Sequence, residues 1–158
     1  MLRRTSFPPR RGERGFTLVE LIVVVVIAGI LASLAAPSFT QLIENQRAKN
    51  AATDIYVALT RARSEALRLN QNVTIAPVSS NWSAGWQITD SGGGVLESHE
   101  AIRSLTVAGP ASIIYKSSGR TTSTADMLFT ITGQFPDSTH YVCVDLSGRP
   151  AIGSSSSC

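Results

Sequence analysis

The sequence predicts an α+β protein, with one long N-terminal helix followed by an antiparallel β-sheet domain. Three patterns predict it. Residues 16–36 form an apolar run of about 20 residues, broken only by Thr17, Glu20, Gly29 and Ser33. Apolar residues then keep a helical spacing as far as about Asn70. Beyond it the period changes to two, in short segments separated by turn residues. A chain of 158 residues suggests one domain plus an extra segment.

The run at residues 16–36 is long enough, as a helix, to cross a bilayer. Its surroundings have a charge asymmetry that the net charge of +3 conceals. Five of the fourteen basic residues precede Phe16 (Arg3, Arg4, Arg10, Arg11, Arg14), against one of the eleven acids, Glu13. Nine basic and ten acidic residues remain, so the body is near neutral. An arginine-rich flank before an apolar span fits a cytoplasmic, positive-inside leader. A neutral body argues against binding nucleic acid through bulk charge.

Glu20 sits at the front edge of the apolar run, where a carboxylate is costly and implies a partner. Three readings compete. A secretory signal would have its small-x-small cleavage site after the apolar region, which "ASLAAPS" supplies. A plain signal anchor is the second, and neither accounts for Glu20. In the third, the chain is cut after Gly15, so that Phe16 carries a new α-amine one helical turn from Glu20. The carboxylate then compensates an amine of its own chain or of a neighbour in a helical stack. It also lies in the first turn, where the helix dipole favours negative charge.

"RGFTLVELIVVVVIAGILASLAAPSF" closely resembles the class III signal of type IV prepilins and type II secretion pseudopilins. The resemblance implies that a prepilin peptidase cuts between Gly15 and Phe16 and N-methylates Phe16. It makes Glu20 the assembly glutamate and Pro37 a helix kink. The partners it implies are the peptidase, other major or minor pilins or pseudopilins, and the inner membrane. No cofactor or metal is implied.

After Pro37, Ile55, Leu59, Ala62, Ala66 and Leu69 step by four, three, four and three, one apolar stripe of an amphipathic helix. Arg61 and Glu65 form an i,i+4 pair on its flank, read as a solvated face. Strands are expected in "NVTIAPV", "GWQITD", "VLESHEAI", "SLTVAG", "SIIYKS", "DMLFTITG" and "HYVCVDL". "DSGGGV" is a turn between two of them. A phosphate loop there would want a following lysine and an opening helix, and the sequence offers neither. The expected organisation is a cleaved leader (1–15), a transmembrane and assembly helix (16–37), an amphipathic continuation (38–70) and a β-rich periplasmic domain (71–158).

"ALTRARSEALRLNQNVTI" followed by "NWSAGWQITD" is similar to GspH/FimT-type minor pilins and pseudopilins. Trp82, Gly85 and Trp86 match a Trp-x-x-Gly-Trp signature, and both indoles are read as core near a turn. Cys143 and Cys158 are the only cysteines. In an exported protein they suggest a disulfide across a short C-terminal loop, with two unpaired thiols as the alternative. Closing about 15 residues would contribute on the order of 3 kcal/mol.

No enzyme is visible. His99 and His140 are lone histidines without a Ser-His-Asp or Cys-His arrangement. The body's carboxylates lack metal-loop spacing. One further motif comes from the resemblance. Some FimT-like pilins bind DNA through a C-terminal Gly-Arg-x-Arg turn, whose arginines grip phosphates. Here Gly148 and Arg149 are present, but Ala151 stands where the second arginine should be. Gly119-Arg120 is a second Gly-Arg pair elsewhere in the chain, so Arg120 and Arg149 are the candidate DNA contacts.

The sequence therefore reads as a single-pass bacterial inner-membrane protein with a periplasmic domain. Its expected role is a minor pilin of a type IV pilus, in the priming or tip complex. The alternatives are a GspH-type pseudopilin of a type II secretion system and a DNA-binding pilin of natural transformation. A generic signal-anchored periplasmic domain is the fallback.

Overall fold

The structure, a computed structural model, describes residues 15–153, 155, 156 and 158. Residues 1–14 of the expected leader lie outside the described residues, as does the geometry expected at Pro37. Contacts divide the chain into two units, Met1–Ser38 and Phe39–Cys158.

Helix α1 runs from Leu18 to Leu69, 52 residues. Its start is fixed by Thr17, whose Oγ1 accepts the Glu20 N–H at 3.2 Å. The Thr-Leu-Val-Glu order is that of a capping box, although only the threonine half of the exchange is formed. Its end is a Schellman turn. Asn70 takes the left-handed conformation (φ 51°) and the Gln71 N–H reaches back to the Ala66 carbonyl at 3.3 Å.

In the first unit every large apolar side chain of α1 from Leu18 to Leu31 is at least half exposed. The second unit is different. Ala48, Ala51, Ala52, Ile55, Ala58, Leu59, Ala62 and Ala66 are buried on one helix face. Six of these eight are alanines, so the helix backbone and the β-structure approach closely.

The strands form two four-stranded antiparallel sheets rather than one. The first has the order β3-β2-β1-β5, built from β1 (Val73–Pro77), β2 (Trp86–Asp90), β3 (Val95–His99) and β5 (Ile113–Tyr115). The second has the order β4-β6-β7-β8, from β4 (Thr106–Ala108), β6 (Met127–Thr132), β7 (Thr139–Val144) and β8 (Pro150–Gly153). Alternation places Val73 and Ile75 inward on β1, with Ile75 directly opposite Ile88 and Ile113. Phe129, Ile131, Val142 and Val144 do the same in the second sheet. These residues and the helix alanines make one core cluster.

Strand β8 was not expected. "PAIG" has one β-branched residue between a proline and a glycine, so its own propensity for a strand is weak. Proline at the first position of an edge strand is compatible with pairing, and β7 supplies the template: Val144 pairs with Pro150 and Cys143 with Ala151.

Two connections depend on glycine. Gly85 has φ +96°, and a Cβ there would collide with the His99 carbonyl oxygen. At Gly109 a Cβ would lie 2.5 Å from Phe129 Cδ1. Gly93 shares the left-handed conformation (φ +83°) but faces open space. Gly93→Ala should therefore cost only about 1 kcal/mol of strain. Gly85→Ala adds a backbone collision and should cost about 3 kcal/mol. Denaturant unfolding of the two variants side by side checks the difference.

Candidate functional site

Two regions carry chemistry, and the first is the start of α1. Phe16 is 80% exposed. Glu20 is exposed one turn later and makes no ion pair among the described residues. Thr17, which caps the helix between them, was not singled out from sequence. The signal was there: a threonine three residues before a glutamate, ahead of an apolar run. The helix that follows is long and apolar enough to cross a membrane, and its most apolar stretch is wholly unburied.

The second region lies at one end of the β-domain. Lys116 to Arg120 and Asp145 to Arg149 form turns of the same pattern. In each, the glycine N–H donates to the carbonyl three residues back, from Gly119 to Lys116 at 2.8 Å and from Gly148 to Asp145 at 2.9 Å. The first residue of each also donates to the arginine carbonyl, at 2.8 and 3.2 Å. Both glycines are left-handed, with φ 75° and 80°. This is a three-residue hairpin loop closed by a glycine. The two turns abut: a Cβ on Gly148 would strike the Gly119 carbonyl oxygen and come within 3.3 Å of the Arg120 Cα. Gly-Arg pairs that are distant in sequence are thus neighbours in space, and both arginines are exposed.

Asp145 organises the second turn. Its carboxylate accepts from Ser147 Oγ at 2.6 Å and from the Arg149 N–H at 2.9 Å. The Ser147 hydroxyl, then the Arg149 N–H, hold its carboxyl below the ordinary carboxylate range. Burial drives the Tyr115 hydroxyl far above its usual value, so it stays neutral.

The other sequence candidates fall in the core or on the flanks. Trp82 and Trp86 are both buried. Trp82 meets Phe129 edge-on at 4.8 Å, and its Nε1–H donates to the Pro110 carbonyl at 2.7 Å. Trp86 stacks on His99 at 4.0 Å. The Arg61–Glu65 pair is not a solvated face. Glu65 is 8% exposed and binds both Arg61 (3.3 Å) and Arg68 (2.6 Å), while Glu97 of β3 lies 3.8 Å from Arg61. Sequence spacing could not reveal Glu97, because the contact crosses from helix to sheet.

His140 bonds Asn45 at 2.9 Å, and Gln41 donates to Asp137 at 3.1 Å. Between them the buried Glu44 carboxylate accepts the Gln134 N–H. Three positions of the helix, at i, i+3 and i+4, thereby hold the β6–β7 connection and the start of β7. Cys143 on β7 is bonded to Cys158, 15 residues on. No group of three or more metal-ligating side chains occurs among the described residues.

An apolar, membrane-length helix whose continuation packs on an antiparallel β-domain defines a pilin-like protein. The chain belongs to the GspH family: its residues 51–148 match the model described as type II transport protein GspH. Residues 10–36 match the prokaryotic N-terminal methylation motif. This is a structural, non-enzymatic family. The chain is similar to the type IV minor pilin FimU of Pseudomonas aeruginosa (TM-score 0.62, 24% identity, covering 75% of this chain and 95% of that one). It is also similar in fold to the minor pseudopilin EpsH from the type 2 secretion system of Vibrio cholerae (TM-score 0.54, 17% identity, 68% and 96% covered). Over 63 residues it is 40% identical to the type IV major pilin protein PilA of Myxococcus xanthus, covering 40% of this chain and 28% of that one. Over 50 residues it is 48% identical to the type II secretion system core protein G of Escherichia coli, covering 32% and 34%. The chain thus spans only about a third of the length of those two relatives.

Two outcomes are expected. Cys158→Ser should lower unfolding stability by about 3 kcal/mol, the effect of opening a loop of this size, measured by denaturant unfolding without reductant. Because the Asp145 pKa is lowered on folding, its stabilisation is complete above the unfolded carboxylate value and fades as pH falls through the folded one. In Ser147→Ala the Asp145 titration midpoint, followed by carboxyl-carbon NMR, should rise toward the ordinary value.

Proposed function

We propose that the chain is a minor pilin, cut by a prepilin peptidase between Gly15 and Phe16, methylated on Phe16 and assembled through α1 into a type IV pilus, in its priming or tip complex. The observation that carries this reading is Glu20: an exposed carboxylate in the first turn of a bare apolar helix, without a cation among the described residues. Such a charge is tolerable in an apolar setting only beside a positive partner. Cleavage creates one, the Phe16 α-amine of the same chain or of a neighbour. The apolar faces of packed helices then bury against one another, and the β-domain stays on the periplasmic side or the filament surface.

Pseudopilin assembly in a type II secretion system would use the same helix, peptidase and glutamate. The partners distinguish the two. Co-purification with other minor pilins supports the pilus, and co-purification with secretion-system pseudopilins supports the alternative.

Glu20→Ala should leave processing intact but sharply reduce incorporation into sheared filaments, quantified by immunoblot. Wild-type incorporation of that variant would refute the register role of the carboxylate. Gly15→Leu should leave the chain at precursor size, and mature-size protein from it would place the cut elsewhere.

A further inference from the structure

Where α1 enters the second unit, it turns its one acid inward and its cations outward. Phe39, Leu42 and Ile43 are 64%, 64% and 51% exposed. They stand at i, i+3 and i+4 and so share one face. Arg47 follows Ile43 by four residues and Lys49 follows Leu42 by seven, so the two cations flank the end of that face. Both are exposed, and neither makes an ion pair among the described residues. Between them Gln46 is bonded to Asn50 at 2.8 Å. Glu44 is the only acid from Phe39 to Asn50. It is 7% exposed and faces the β-domain, where its carboxylate accepts the Gln134 N–H. An apolar patch bordered by two cations, with no acid, is thus left open on a body that is otherwise near neutral.

We propose that this face, Phe39, Leu42 and Ile43 with Arg47 and Lys49, docks on the anionic phospholipid headgroups of the bilayer that the preceding helix crosses. The proposal rests on the membrane anchoring and orientation proposed above. The apolar run ends at Ala36, and three residues of chain reach at most about 11 Å. Phe39 therefore stays near the polar layer of the bilayer, whatever the angle between the two units. Apolar side chains at that depth enter the boundary between headgroups and acyl chains, and cations beside them meet lipid phosphates. Arginine and lysine can keep their apolar stems on the patch while carrying the charge to phosphate. The side of the membrane matters too. Five arginines of the leader mark the inner flank, so further cations just beyond the span oppose the orientation bias. Anionic lipid gives those cations a partner. A second copy of the face offers two more cations and no acid, so it complements the charge less well.

Lys49 and Lys116 are the only lysines of the chain, and both are exposed, so one can report on the face and the other serve as reference. The full-length chain, disulfide intact, is inserted at one copy per nanodisc of phosphatidylcholine, alone or mixed equally with phosphatidylglycerol. Acetylation of each lysine by a water-soluble succinimidyl ester is followed by peptide mass spectrometry. The expected result is that Lys49, relative to Lys116, reacts about fivefold more slowly in the anionic disc, the factor that one cation gains near such a surface. High salt should restore its rate. So should Phe39→Ser combined with Leu42→Ser, which alters only exposed positions and leaves the domain core intact. An equal Lys49-to-Lys116 ratio in the two lipids overturns the docking face and leaves membrane anchoring standing. Slowing that appears only with several copies per disc, and in both lipids alike, overturns it in favour of a second copy. A chain that does not co-purify with the discs overturns the anchoring reading, and the docking face with it.

Discussion

Everything in the globular unit depends on one helix face being almost free of side-chain bulk. Ala48, Ala51, Ala52, Ala58, Ala62 and Ala66 are buried there, with Ile55 and Leu59 as the only large apolar side chains buried among the described residues of the helix. Alanine is the strongest helix former and adds little volume. The face therefore stays helical while letting the inward residues of both sheets reach the backbone. In a close-packed interior that spacing leaves little tolerance for larger side chains. The large residues are supplied by the strands instead, as Trp86, Tyr115, Phe129 and the isoleucines of β1, β2, β5 and β6.

That division of labour also explains where glycine is needed. Gly85, Gly109, Gly133 and Gly148 each stand where a second segment passes too close for a Cβ. At Gly133 the neighbours are the buried Glu44 carboxylate and Ser138 Oγ. At Gly148 the neighbour is the other Ser-Gly-Arg turn, so close approach of two turns is what brings Arg120 beside Arg149.

The two halves of α1 obey different solvents. In the second unit the helix has one buried face and finds polar partners through Gln41, Glu44 and Asn45. In the first unit no described side chain is buried, and Glu20 is the one charge of the bare stretch. A helix with this surface is incomplete in water. Its complement is a bilayer or other helices of its kind, so the unit is built for assembly rather than catalysis.

The sequence by itself determined the parts governed by local order. The apolar run, the Phe-Thr-Leu-Val-Glu start, the helix stripe from Ile55 to Leu69 and seven of the eight strands follow from periodicity and turn chemistry, which act between residues close in the chain. The α+β class and the pilin relationship rest on those. Tertiary structure alone decided what depends on distant segments meeting. It divided the strands between two sheets and recruited "PAIG" as β8, because an existing edge supplied the hydrogen bonds that its own propensity did not. It placed Glu97 beside Arg61, turning a supposed surface pair into a partly buried network. It also set Gly119-Arg120 against Gly148-Arg149. No period or spacing encodes such a meeting, because it is fixed by how sheets and helix stack, and stacking is a property of the whole packed core.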